Sequence, residues 1–106
     1  MKTILLADGH DATVNANFGP LLVNDTDGMW FQVDASDASI GGTVQVQASF
    51  DGSKWVDAGS GMTITAGASA GEDITTPSKF FRCVYTNTGG TGNITIGVNI
   101  KERYQM

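Results

Sequence analysis

Apolar and polar residues alternate along much of this chain. The alternation is clearest over residues 93–101, where four aliphatic side chains are separated by polar or small ones, and it recurs over residues 43–50 and 29–34. A period of two places successive side chains on opposite faces of a strand. The pattern therefore predicts three strands that each have one buried face.

Residues 79–86 are apolar on both faces, which is typical of a strand in the middle of a sheet. Cys83 is predicted to be a small core residue of this strand. Residues 34–40 have room for one helical turn at most, and no segment has the pattern of an amphipathic helix. Shorter strands are predicted at 3–6, 13–16, 21–24, 54–58, 62–65 and 72–75.

Turn-forming residues recur at intervals of roughly 8–12 residues, as in sandwiches and barrels. Two hairpins are predicted. Asp51-Gly52 provides a tight reversal, after which Trp55 is expected to pack near Phe50. A Gly-rich loop is expected to join strands 80–86 and 93–101 as neighbours in one sheet. The other turns are predicted at 8–9, 19–20, 27–28, 41–42, 59–61 and 76–77.

These elements predict a single domain over residues 1–106. The fold class is all-β, a sandwich of about eight antiparallel strands with jelly-roll or immunoglobulin-like topology. Residues 1–24 form either an N-terminal arm that pairs with a neighbouring molecule or an edge strand of their own sheet. The predicted core consists of Phe31, Val33, Val44, Val46, Phe50, Phe81, Cys83, Tyr85, Ile94, Ile96, Val98 and Ile100.

Composition limits the classes of partner. Charged residues make up only 16% of the 106 residues and the net charge is −5, which disfavours nucleic acid as a partner. The apolar start at residues 3–7 is too short for a signal peptide, and no run approaches a membrane span, so synthesis in the cytoplasm and no membrane contact are expected. One cysteine rules out an internal disulfide.

Little in the sequence indicates catalysis or metal binding. His10 is the single histidine, and although Asp11 could orient it as a base, no nucleophile motif accompanies it, so a surface turn is expected there. Asp25 and Asp27, within residues 24–28, resemble part of a calcium loop but lack its remaining ligands, and a turn explains them equally well. We expect no enzyme activity, no cofactor and no resident metal.

Aromatic residues offer a binding alternative. Trp30 and Trp55 could stack on sugar rings, as in carbohydrate-binding modules, or could pack in the core and in the hairpin. Trp30 is opposite in phase to the apolar residues 29, 31 and 33, so either it faces outward or both faces of its strand are buried.

Residues 44–57, with a Ser-x-Asp-Gly-x-x-Trp turn at Ser49 to Trp55, resemble a hairpin of small β-sandwich proteins in bacteriophage structural modules. The similarity continues through residues 80–87 and the final alternating strand, and spans residues 42–101. Similar turns also occur in sugar-binding and cell-surface sandwiches.

The resemblance implies a non-enzymatic structural protein of a bacteriophage particle, either a head decoration protein or a tail component. It would be located in the virion, bind the major capsid or tail protein, and act as a homo-oligomer. The alternative is a carbohydrate-binding module that uses an exposed Trp30 or Trp55.

Overall fold

A computed structural model describes residues 2–23, 26–35, 41–65 and 68–102. Within these ranges the chain forms nine β-strands and no helix, as the alternation predicts. Residues 24–25 and most of the 34–40 segment lie outside the described residues. The strands are β1 (Lys2–Asp11), β2 (Ala16–Leu22), β3 (Thr26–Asp34), β4 (Gly41–Ser49), β5 (Val56–Asp57), β6 (Met62–Ile64), β7 (Ser69–Ile74), β8 (Phe80–Gly89) and β9 (Asn93–Glu102).

The strands form two antiparallel sheets that pack face to face, which confirms the predicted β-sandwich. The first sheet has the order β1-β9-β3-β7. The second has the order β2-β8-β4-β5, and β6 also pairs with β4. β5 and β6 are therefore two pieces of one interrupted edge strand.

Consecutive strands mostly lie in opposite sheets, and only β4, β5 and β6 follow one another within a sheet. This order is that of a jelly roll, since immunoglobulin-like folds pair consecutive strands within a sheet. The predicted hairpin between 80–86 and 93–101 is wrong. β8 and β9 are each central strands, but of different sheets, and residues 90–92 carry the chain across the sandwich.

The core fills the space between the sheets with every second side chain of most strands, as expected when one strand face is buried. Eleven of the twelve predicted core residues are buried, and the exception is Phe50. Cys83 is fully buried, and burial raises the pKa of its thiol to about 12. Residues outside the predicted core list complete the core: Ala7, Ala12, Val23, Met29, Ala35, Ala48, Ala58, Met62, Ile64 and Ile74.

Phe50 is 84% exposed, which corrects its assignment to the core. β4 ends at Ser49, so the alternation that places Val46 and Ala48 inside no longer determines the direction of the next side chain. Trp55 is half-buried, and the side chain stacked on its ring is Arg82 rather than the predicted Phe50.

The β4–β5 hairpin is present, but residues 50–55 form a longer loop than the predicted tight reversal. Ser49 Oγ donates to Asp51 Oδ1 and accepts from the Gly52 N–H, both at 2.9 Å. Asp51 Oδ1 also accepts from the N–H groups of Ser53 and Lys54 at 2.9 and 3.2 Å. The loop is thus organised around one carboxylate, and Gly52 adopts a φ of +79° that favours glycine.

Irregularities interrupt both N-terminal strands. β1 and β2 form edges of the first and second sheets, and their pairing shows register shifts near Gly9 and at Gly19-Pro20. The strand predicted at 13–16 is wrong, because residues 12–15 lie between β1 and β2. The turns predicted at 8–9, 19–20, 27–28 and 41–42 are also wrong, because these residues lie within strands. Glycine there accommodates bulges rather than reversals.

We expect Ile96→Ala to lower the free energy of unfolding by about 2–5 kcal/mol, because Ile96 is fully buried in a central strand and its loss leaves a cavity. Leu5→Ala is the matched control. Leu5 lies in the same sheet but is 57% exposed, so its change should stay within about 0.5 kcal/mol. Urea denaturation measures both values, and equal losses would contradict the described core.

Asp51→Asn tests the carboxylate-centred loop. The N–H of Ser53, then that of Lys54, and then the Ser49 hydroxyl hold the pKa of Asp51 below its ordinary value of 3.8. The ionised form therefore stabilises the fold above that value, and the contribution disappears as the pH falls through the folded-state pKa. Asp51→Asn should unfold at lower urea concentration than wild type at about pH 7, with the gap closing at about pH 2. A gap of the same size at both values would contradict this account.

Candidate functional site

The outer face of the first sheet carries the tryptophan whose exposure the sequence left open. Met29, Phe31 and Val33 are buried in the core, so Trp30 and Gln32 on the same strand point outward. Trp30 is 39% exposed. Its placement in the core is therefore wrong, whereas the exposed position that the sugar-stacking alternative requires is present.

Strand register determines what surrounds Trp30. Directly across the sheet, Trp30 lies between Asn99 of β9 and Asp73 of β7. The adjacent row has Gln32 between two glycines, Gly97 of β9 and Gly71 of β7. Because glycine has no side chain, the outer surface of the sheet is depressed on both sides of Gln32, next to the indole.

Gly71 allows the indole to lie down on the sheet. A β-carbon at Gly71 would overlap Trp30 Cζ2 and would approach Cε2 and Cη2 to 2.7 Å. The six-membered ring of the indole thus occupies the space above this glycine. Trp30 Nε1 donates to Gln32 Oε1 at 3.2 Å, which ties the ring to its own strand. The aromatic ring is therefore held in place on the surface.

Two shallow grooves meet at Trp30. One, of about 240 Å³, lies above β9 and has Gly97 at its floor, with Leu5 on one side and Trp30 and Gln32 on the other. The second, of about 330 Å³, lies between Trp30, Asp73 and Lys101. Trp30 and Asn99 line both. The outward side chains that line these two grooves together form what we call the Trp30 surface. They are Thr3, Leu5, Trp30, Gln32, Asp34, Asp73, Thr75, Thr95, Asn99 and Lys101.

Polar groups on the Trp30 surface are already oriented. Thr3 Oγ1 donates to Asn99 Oδ1 at 2.7 Å, and Ser69 Oγ donates to Asp34 Oδ1 at 3.1 Å. Sequence reasoning singled out only Trp30 here. The strand glycines were the available clue to the rest, since glycine inside a strand often marks a close approach.

Trp55 differs from Trp30 in that a side chain covers its ring. The Arg82 guanidinium carbon lies 4.6 Å from the ring centroid, a cation–π contact on the outer face of the second sheet. Arg82 Nε also donates to Gln47 Oε1 at 2.8 Å, and Gln47 Nε2 donates to Asp57 Oδ1 at 3.1 Å. This network holds the arginine over the indole and leaves Trp30 as the more accessible tryptophan.

One end of the sandwich exposes apolar side chains. Phe50 and Val56, which is 67% exposed, border an apolar groove of about 240 Å³ with Pro77 and Ala48. We call these four residues the apolar end. Large apolar groups that water reaches are common in protein contact surfaces.

His10 lies in β1 and not in the predicted surface turn. It is half-buried, packs edge-on against Phe18 at 4.9 Å, and its Nε2 lies 2.8 Å from the Val14 carbonyl oxygen. Nearby, the hydroxyl of Tyr85 and the amide of Asn87 both donate to the Ala12 carbonyl. These contacts fix the loop after β1, which is a structural arrangement.

The predicted cation turn lies largely outside the described residues. Asp25 is not described, and Asp27 is placed only by its backbone, at the start of β3. Within the described ranges, no group of three or more His, Cys, Asp or Glu side chains could hold a metal ion. The described residues also contain no helix that is long and apolar enough to cross a membrane.

The chain is similar in structure to the PBSX exported protein XepA, which is known from a crystal structure. The TM-score is 0.77 and the sequence identity is 12%, and the superposition covers 99% of this chain and 38% of XepA. The chain thus spans less than two fifths of the length of that protein. No protein-family model and no curated protein sequence matches the chain. At this identity the likeness shows a shared fold.

Gly71→Ala tests the seating of the indole. In a Trp55→Phe background, where Trp30 is the single tryptophan, the new methyl group should lift the indole into water and shift its fluorescence to longer wavelength. Gly97→Ala is the matched control, since its nearest neighbour, Leu5 Cδ2, would lie at an ordinary 3.5 Å. Identical spectra for the two variants would contradict the described contact.

Proposed function

We propose that this chain is a non-enzymatic structural protein of a bacteriophage particle, a decoration protein that binds across subunits of the capsid. The observation that carries the proposal is the likeness of nearly the whole chain to the phage-related protein XepA. Jelly rolls occur in viral capsid proteins, which agrees with this assignment. The hairpin around Asp51 and Gly52 resembles that of phage structural modules and supports the same conclusion.

The apolar end is the surface that we assign to the contact with the capsid. Phe50 and Val56 are exposed on the isolated chain, and burying them against a partner would remove apolar area from water. The low content of charged residues, 16%, reduces the cost of removing water from the remaining surface.

Decoration proteins stabilise a capsid because many copies bind to it. One copy that buries a standard-sized interface contributes a modest free energy, and many symmetric copies multiply the stabilisation of the shell. We propose that the chain works as a homo-oligomer on these repeated sites, located in the virion and bound to the major capsid protein. The chain could instead bind the tail protein, and the experiment below distinguishes a position on the tail from one on the capsid.

The test is to purify particles from lysates of the host that carries this gene and to locate the chain by gold-labelled antibody and quantitative mass spectrometry. We expect the chain in the particle fraction, at a fixed ratio to the capsid protein and with label over the head. Phe50→Ser should reduce that ratio without changing the stability of the fold, because Phe50 is already exposed. Leu5→Ser, an exposed apolar residue on another surface, is the matched control.

Chain found only in the soluble fraction of the lysate would contradict a particle role. It would favour instead a freely exported protein, as the name of XepA describes that protein. Label over the tail would retain the structural role and overturn the capsid assignment.

A further inference from the structure

We propose that the Trp30 surface binds a neutral oligosaccharide, with one sugar ring stacked on the indole. This inference goes beyond the particle role and stands independently of it. It rests on the outer face of the first sheet, whereas the capsid contact is assigned to the apolar end.

The stacking platform is already formed. The six-membered ring of Trp30 lies over Gly71 and its Nε1 is bonded to Gln32, so one side of the indole rests on the sheet. Trp30 nevertheless remains 39% exposed, which leaves part of its surface for a ligand to contact. Because the ring is held before a ligand arrives, stacking a sugar on it costs little side-chain entropy.

Hydrogen-bonding groups line the two grooves that meet at the platform. Gln32 and Asn99 provide amides, Asp34 and Asp73 provide carboxylates, and Thr3 adds a hydroxyl. Amides donate and accept, and carboxylates accept, so the set can pair with hydroxyl groups that do both. An aromatic face bordered by such groups is chemically complementary to a pyranose, which has C–H groups on its faces and hydroxyls at its rim.

The charge of the surface selects among polymers. Asp34 lines the first groove, whereas Asp73 and Lys101 line the second, so carboxylates outnumber cations on the Trp30 surface, and the whole chain has a net charge of −5. Phosphate- or sulfate-bearing chains would be repelled by this field, whereas a neutral sugar meets no such penalty. The expected ligand is therefore an uncharged saccharide.

The two grooves indicate a ligand longer than one ring. They share Trp30 and Asn99, so they form a continuous track across the outer face of the sheet. In the first groove, Leu5 and Gln32 stand on the strands at either side of β9, about 10 Å apart at two strand spacings. Gly97 between them leaves that space open. A chain of several sugar units would lie along this track with its central ring on Trp30.

The experiment uses the full chain with Trp55→Phe, so that the fluorescence reports on Trp30 alone. Neutral hexasaccharides of glucose and of N-acetylglucosamine, in β-1,4 and α-1,4 linkages where available, are titrated, with dextran sulfate as the anionic comparator. We expect at least one neutral hexasaccharide to change the emission saturably, a shorter oligomer to bind more weakly, and dextran sulfate to have no effect. Calorimetry on the unmodified chain checks the same affinity.

Two variants then locate the site by calorimetry. Trp30→Ala should weaken binding by roughly tenfold or more, since it removes the stacking surface. Gly97→Val should do the same with Trp30 in place, because its side chain would fill the floor of the first groove, and a β-branched residue suits a strand. Trp55→Ala is the matched control and should bind as wild type, because the ring of Trp55 packs on Arg82 of the second sheet, away from the Trp30 surface.

Several results would overturn the proposal. The first is that no neutral saccharide of the panel binds. The second is that Trp30→Ala binds with the affinity of the wild type. The third is that Trp55→Ala loses as much saccharide affinity as Trp30→Ala. Thermal melting of each variant shows whether it folds, and Gly97→Val keeps the site testable if Trp30→Ala does not. If Trp30→Ala instead releases the chain from particles and no saccharide binds, the Trp30 surface is a protein contact and the saccharide proposal fails.

Discussion

Burial of every second side chain between the two sheets is the interaction on which the other features depend. It forms one continuous apolar cluster that reaches from β1 to β9. The same alternation determines the outside of the molecule, because a one-residue slip of a strand would exchange its two faces. Trp30 is at the surface because Met29 and Phe31, its neighbours in sequence, are anchored inside. The outward-facing side chains and the core are thus consequences of a single register.

The shape of the outer face of the first sheet depends on two glycines as much as on the side chains around them. Gly71 provides the space that the indole of Trp30 occupies, and Gly97 leaves a groove open on its other side. Placing these glycines on strands rather than in loops gives a rigid surface, which suits recognition because little order has to be created on binding. Trp55 shows the contrast, since Arg82 occupies its ring face within the folded chain.

The sequence predicted the strands and their faces well and the pairing poorly. Ile94 to Ile100 follow from alternation, which depends on local geometry alone. The inward residues of β8 were also predicted correctly, although this strand is apolar on both faces and alternation alone does not determine which face is buried. Which sheet a strand joins depends on packing across the molecule, so β8 and β9 were wrongly paired. Phe50 was wrongly assigned to the core because hydrogen bonds of Ser49 and Asp51 redirect the chain where β4 ends. The phase of Trp30 was evident from the sequence, but Gly71 and Asp73 reach it only through the β3–β7 register.

The irregular margins of the sandwich restrict how copies of the molecule can associate. β1 and β2 are bulged, and the margin of the second sheet opposite β2 is divided into the short pieces β5 and β6. Such margins pair poorly with a strand of another molecule, so they disfavour edge-to-edge aggregation into fibres. β7 forms the fourth margin and carries the exposed residue Asp73. Molecules crowded together at high local concentration would accordingly meet through their flat sides or their ends, where contacts can be reversible and specific.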